Sequence, residues 1–427
     1  MLNKNMTKLL DENEDRSEDE LKDLNLILGR FHYNRGKLLI AEKHYESAKS
    51  YFTETKENTR LAEAYVGLAT VYAADARHED AIINAEKALA ITTEQFIIAE
   101  ANLRLGICYR RMSDFTKAEE VLSESLKTSQ SDKNTVLTAE ILIAIGDIYW
   151  GTRDWEKAEN YYNQSIDILK PVLETNPEHE LAKFHLSQAQ FAIGRSYIEN
   201  NRHDEAKALL NESFQSLEKI ERFFGIEMCA QLLGTLYEKM ENWEEARHWY
   251  SESYLATEIT GNEMRKIETL FLMAQLAYNT DMNFRAKSLV KLCISRKERT
   301  NFEQRAKLLL LSGNIYSNTP YPEKAIEAYK DAILYAVQGD YSAVQEVFFR
   351  LTSKFKTISR KGNKSLAIRI SRELVEWWST AKINEKKATD FERDQSWNVK
   401  NNSSPLSDRL PVSTYLEKLL RTVIELD

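Results

Sequence analysis

The sequence predicts an all-α fold: a right-handed superhelical solenoid of about eight helix hairpins with a divergent C-terminal cap. Three observations carry that expectation. Small residues recur along the chain at intervals near 40 residues. At fixed offsets from each of them the same residue types return in register. With only 13 Gly and 6 Pro among 427 residues, long uninterrupted helices are permitted and a turn-rich β architecture is not.

The lattice is anchored on Gly29, Ala69, Gly106, Gly146, Gly194, Gly234, Ala274 and Gly313, separated by 40, 37, 40, 48, 40, 40 and 39 residues. Glycine inside a helix costs about 1 kcal/mol relative to alanine. Its repeated use implies helices so close that a Cβ would clash. Twelve residues after every anchor stands alanine: Ala41, Ala81, Ala118, Ala158, Ala206, Ala246, Ala286 and Ala325. Nineteen after it the residue is again small, as in Ala48, Ser125, Ser165, Ser213 and Cys293. Tyrosine stands three after the anchor in six repeats, and large residues such as Tyr45, Tyr162 and Tyr329 stand sixteen after it. Small residues let two helices cross closely, and the rings fill the wedge that remains. Asn- and Asp-rich turns such as TRDWEKA and MENWEEA join the two helices of a unit.

Five segments follow from this pattern. Residues 1–16 form an acidic, disordered start, and Ser17 with Glu20 has a capping-box pattern opening the first helix. Residues 17–337 hold eight repeat units. The 48-residue interval around Pro171 and Pro177 predicts a lengthened helix pair. Residues 338–380 form a divergent basic capping unit, in which Ala367 takes the second-helix role. Residues 381–410 read as a polar linker, and 411–427 as an amphipathic helix with Leu416, Leu419, Leu420 and Val423 on its apolar stripe. The stripe calls for a cover, and capping the chain's own solenoid is the first reading. A tail that blocks the groove is the second.

Segments such as LGICYRRMSDFTKAEEVLSESL and LGTLYEKMENWEEARHWYSESY resemble tetratricopeptide repeats with a long unit. That unit is similar to those of kinesin light chains, Pins-type adaptors and Rap-type peptide-sensing regulators. The resemblance covers residues 20–337 and implies a protein- or peptide-binding scaffold, its first helices lining a concave face. One, four and five residues after the anchors, that face would present Arg30, Tyr33, Arg110, Arg111, Asp147, Trp150 and Arg195 in the N-terminal half. In the C-terminal half it would present Gln275, Tyr278, Asn279, Asn314 and Asn318. Trp, Tyr and Arg dominate interface energetics, and Arg grips carboxylates in a two-point fork. An acidic, aromatic-containing segment is therefore the expected partner of the first set; pairing of these residues with acidic neighbours along the stack is the alternative. Chaperone-tail adaptors carry Lys three residues before the anchor. Here that position holds Leu26, Val66, Leu103, Ile143, Phe191, Gln231, Phe271 and Leu310.

Charge adds a second candidate surface. In a chain of net charge -8, residues 350–372 hold Arg350, Lys354, Lys356, Arg360, Lys361, Lys364, Arg369 and Arg372 and no acid. Charges scattered round two helices explain it; so would an acidic docking partner, phosphate or, less favoured in an acidic protein, nucleic acid. Rap-type regulators carry an N-terminal effector module. With about 20 residues ahead of the first repeat, such a surface would fall in 350–372 or the tail.

Catalysis, cofactors and metals are not expected. His179 and His185 stand six apart, whereas a zinc-protease helix places its histidines four apart on one face. Cys108, Cys229 and Cys293 are isolated and suit free thiols in a reducing, cytoplasmic setting. No apolar run approaches the roughly 20 residues that cross a bilayer.

Overall fold

The computed structural model describes residues 18–296, 302–319, 321–338, 341–380, 418, 419 and 421–423. The acidic start, Ser17 and the 381–410 segment lie outside the described residues. Among the described residues every regular element is helical, and no helix is long and apolar enough to cross a membrane. The chain forms two compact units, residues 1–242 with 251–262 and residues 243–250 with 263–427.

The first unit holds five helix hairpins and one further helix. They are α1 (Glu18–Asn34) with α2 (Leu38–Thr55), α3 (Asn58–Ala74) with α4 (His78–Ile91), α5 (Gln95–Arg111) with α6 (Phe115–Ser131), α7 (Thr135–Gly151) with α8 (Trp155–Thr175), α9 (Glu180–Glu199) with α10 (His203–Lys219), then α11 (Phe223–Lys239). The long interval is a lengthened pair, as its helical spacing predicts: α8 runs 21 residues with Pro171 inside it, and α9 runs 20.

The glycine lattice has the cause its spacing implies. A Cβ on Gly29 would come within 2.8 Å of the Tyr45 ring, and one on Gly146 within 2.6 Å of the Tyr162 ring. Gly29, Gly106, Gly146, Gly194 and Gly313 are thus sockets for the large side chain sixteen residues later, Leu122 filling that of Gly106. The small residue nineteen after the anchor does more than make room. Ser125, Ser165 and Ser213 donate hydrogen bonds of 2.7, 3.1 and 2.9 Å to the carbonyls of Ala99, Ala139 and Ser187 on the partner helix. A buried hydroxyl that finds an acceptor avoids the desolvation cost of an orphan. The alanines twelve after the anchors are fully buried in this unit, from Ala41 to Ala206.

Two histidines make the first hairpin pH-sensitive. The rings of His32 and His44 stack at 5.4 Å with an interplanar angle of 2°. Burial, then the neighbouring His44, lowers the His32 pKa from 6.5 to about 4. The folded state therefore takes up this proton later than the unfolded chain does. The stability it contributes is complete above about pH 6.5 and drains as pH falls towards 4. His32→Gln is expected to flatten the fall in Tm between about pH 7 and about pH 5. An unchanged slope would show that this ring does not drive it.

The second unit contains α13 (Glu263–Asn279), α14 (Asn283–Ser295), α15 (Phe302–Ser317), α16 (Pro322–Gln338), α17 (Tyr341–Ile358), a π turn at Ser359–Asn363 and α18 (Lys364–Thr380). Helix α12 (Trp243–Thr260) contributes to both units. Gly362, at φ 85°, turns the chain between α17 and α18. Tyr329, Leu351, Phe355, Ala367 and Leu374 are fully buried in one cluster. Leu419 and Val423, from the C-terminal stripe, are 1% and 0% exposed in that same cluster. The described part of the terminal segment thus covers the second unit's core. Truncation after residue 380 removes two buried aliphatic side chains and should cost about 3–5 kcal/mol. A urea midpoint unchanged by the truncation would contradict that packing.

Candidate functional site

In the first unit, successive first helices (α1, α3, α5, α7, α9, α11) pack against one another as well as against their hairpin partners. They therefore line one side of the stack. The turn after α1 reaches the start of α11, where Arg35 donates to Glu221 at 2.6 Å across 186 residues of sequence.

Four of the predicted binding residues come together on that side. Asp147 of α7 lies between Arg110 of α5 and Arg195 of α9, each guanidinium 3.3 Å from a different carboxylate oxygen. Tyr162 donates its hydroxyl to Asp147 at 2.8 Å. The Arg195 guanidinium sits 4.0 Å over the Trp150 ring, which meets Trp155 edge-on at 4.5 Å. Burial works to raise the Asp147 carboxyl, but Arg110 and Arg195 outweigh it and hold it below the usual carboxylate range. One carboxylate between two guanidinium groups leaves a net positive, aromatic-edged cluster. The pairing alternative is what the geometry shows: the arginines pair with an acid along the stack, two cations to one carboxylate. Arg111 is exposed and adds to the positive field on Asp147, Arg30 is exposed, and Tyr33 is half-buried at the end of α1.

A second layer of charge was not read from the sequence. Glu100 and Arg104 of α5, Glu140 of α7 and His185 of α9 lie about two to three turns towards the helix starts from Arg110, Asp147 and Arg195. Arg104 donates to Glu140 at 2.8 Å, and His185 Nε2 lies 3.6 Å from the other Glu140 oxygen. Burial raises Glu100, overcoming Arg104 and Arg30, whereas Arg104 and His185 hold Glu140 low against the same burial effect. The signal that would have found this layer is the position six before each anchor. It holds Asp23, Glu63, Glu100 and Glu140 in the first four repeats. The two zinc-like histidines have separate duties: His179 caps α9 by accepting from the Ala182 amide, and His185 is buried beside Gln188 and Glu140. Among the described residues no group of His, Cys, Asp or Glu is arranged to hold a metal ion, and the three cysteines are free and buried.

The C-terminal set lies in the second unit. Tyr278 and Asn318 meet there, with Lys354 donating to the Tyr278 hydroxyl and lying 3.3 Å from Asn318 Oδ1. Asn314 is occupied by the Tyr329 hydroxyl at 3.0 Å. Gln275 is half-buried and Asn279 exposed. Lys354 thus joins the basic set to the polar one. The rest of that set is spread over α17, the π turn and α18. Arg369 pairs with Glu373 and Glu323, and Arg360 and Arg372 are exposed. Arg350, Lys356 and Lys364 are half-buried, and the Lys361 side chain lies outside the described residues. The seven whose side chains are described are divided between α17, the π turn and α18.

Models of the tetratricopeptide-repeat family match residues 23–94, 97–170, 187–216 and 306–336. The chain is 23% identical over 271 residues to the transcriptional activator NprA of Geobacillus stearothermophilus, covering 53% of this chain and 66% of that protein. It spans no more than 66% of the length of the curated relatives it matches. Among solved structures it is similar to a Rap protein complexed with competence and sporulation factor. That match has a TM-score of 0.53 at 12% identity, covering 95% of this chain and 100% of the other. It is also similar to the apo form of the quorum sensor NprR from B. thuringiensis, with a TM-score of 0.55 at 13% identity over 84% and 96% of the two chains.

Proposed function

We propose that this chain, a tetratricopeptide-repeat protein, is a non-catalytic peptide- or protein-binding regulator whose ligand lies along the first helices of its first unit. The observation that carries the reading is the Arg110–Asp147–Arg195 cluster beside Trp150. Three first helices supply it, so an extended segment crossing them would meet each in turn. Two guanidinium groups share one carboxylate, which leaves hydrogen-bonding capacity for an acidic group on the ligand. The Trp150 and Trp155 rings add apolar area beside it.

Between a scaffold that recruits a protein segment and a sensor that responds to a small peptide, one observation favours the sensor. The Rap protein and NprR are similar to this chain over nearly its whole length, not only over a few repeats. Nucleic acid is the weaker reading, since the basic residues of 350–372 are dispersed and Arg369 is already neutralised.

The test is capture from the native host with the full-length protein and with Arg110→Ala/Trp150→Ala side by side, followed by mass spectrometry of bound peptides and proteins. A ligand retained by the wild type and lost by the variant supports the reading. Equal recovery by both removes this face from consideration.

A further inference from the structure

We infer that Arg222, at the start of α11, anchors a carboxylate of the bound peptide. The inference rests on the reading that the first unit takes up a peptide. Arg222 is only 6% exposed. Among the described residues its guanidinium has no hydrogen-bond or ion-pair partner, only the face of the Phe184 ring at 4.8 Å. Other buried or half-buried cations here are matched. Arg104 has Glu140, Arg110 and Arg195 share Asp147, and Lys266 has Glu263. Arginine holds its charge even when buried, so an unmatched one is a cation awaiting an anion. Burial lowers its proton affinity, with Glu180 and Tyr33 opposing.

The surroundings say which anion. Arg222 faces the same interior as Tyr33, His185 and Arg104, as their mutual electrostatic influence requires. In that interior Arg104 and Glu140 cancel, His185 is held neutral by burial, and burial favours the uncharged form of Glu100. Glu180 attracts Arg222 without forming an ion pair with it, so among the described residues no carboxylate of the chain closes on this guanidinium. Arg222 is also the N-cap residue of the 17-residue α11, and it supplies no side-chain acceptor to the first turn. The amides there reinforce the preference for an anion. The planar fork of arginine fits a carboxylate at two points.

The carboxylate has two sources, a peptide's C-terminus or an Asp or Glu side chain, and the experiment separates them. Full-length protein is incubated with three mixtures of N-acetylated synthetic pentapeptides: free acids without Asp or Glu, C-terminal amides without Asp or Glu, and amides containing Asp or Glu. Peptides retained through rapid gel filtration are quantified by mass spectrometry. The wild type should retain one carboxylate-bearing mixture at least about tenfold over the plain amides. Retention of the free acids assigns the C-terminus; retention of the acidic amides assigns a side chain. Arg222→Gln should abolish the preference and Arg222→Lys keep part of it, in variants whose melting matches the wild type. If Arg222→Gln does not fold, Arg222→Lys alone decides, since a retained full preference there excludes the two-point fork. Equal retention of all three mixtures, or a preference that survives Arg222→Gln, overturns the inference. Parity of the mixtures with binding still lost in Arg110→Ala/Trp150→Ala removes the carboxylate anchor only. Absence of any retention by the wild type removes the peptide reading with it.

Discussion

Tyr162→Ala is expected to destabilise the first unit by about 3–5 kcal/mol, the range for deleting a fully buried aromatic ring. The ring is 0% exposed and occupies the socket left by Gly146. Its removal opens a cavity at the crossing of α7 and α8, where neither backbone can move in without disturbing Ser165 and its 3.1 Å bond to Ala139. It also takes a donor from Asp147. Tyr162→Phe separates the two contributions. It keeps the ring and loses one hydrogen bond to a charged acceptor, for an expected cost of about 1.5–3 kcal/mol. Chemical denaturation of both variants measures the difference. Equal losses would mean that the hydroxyl, not the packing, holds this crossing.

The second large effect is on binding. Arg110→Ala with Trp150→Ala should weaken ligand affinity by about 3–5 kcal/mol, since buried Arg and Trp anchors carry most interface energy. Trp150 supplies apolar area and orients Arg195 by stacking at 4.0 Å. Arg110 balances half of Asp147, so its loss also pulls Arg195 further onto that carboxylate and away from a ligand. The single variants should therefore sum to something other than the double, because the groups share partners. Titration calorimetry with the captured ligand gives all three values. An affinity within about 0.5 kcal/mol of the wild type in the double variant would show that these residues serve the fold alone.

The lattice of anchors was legible because helix crossing is a local, periodic constraint. A notch in one helix and a ring sixteen residues later are enough to specify a hairpin, and Gly29 with Tyr45 or Gly146 with Tyr162 shows it directly. The first-layer residues Arg110, Asp147, Trp150 and Arg195 followed from the same periodicity, since one- and four-residue offsets from the anchor project to the same side. The pairing among them did not, because three helices from three repeats must be brought to a common height. The acidic layer at Glu100 and Glu140 lay one helical turn beyond the offsets considered. Arg222 precedes its helix and carries no repeat signal at all. The neighbouring Glu221 meets Arg35 across 186 residues, and such contacts follow from small rotations between repeats that no single repeat encodes. The seven-cation run of the C-terminal unit, counting from Lys354, is divided in space between two helices and a π turn.

Hydrogen exchange of the full-length protein, with and without the captured ligand, bears most directly on where that ligand sits. Slowed exchange in α5, α7 and α9, with α17 and α18 unaffected, is the predicted outcome. Protection confined to α17 and α18 would move the binding surface to the basic helices and contradict the assignment.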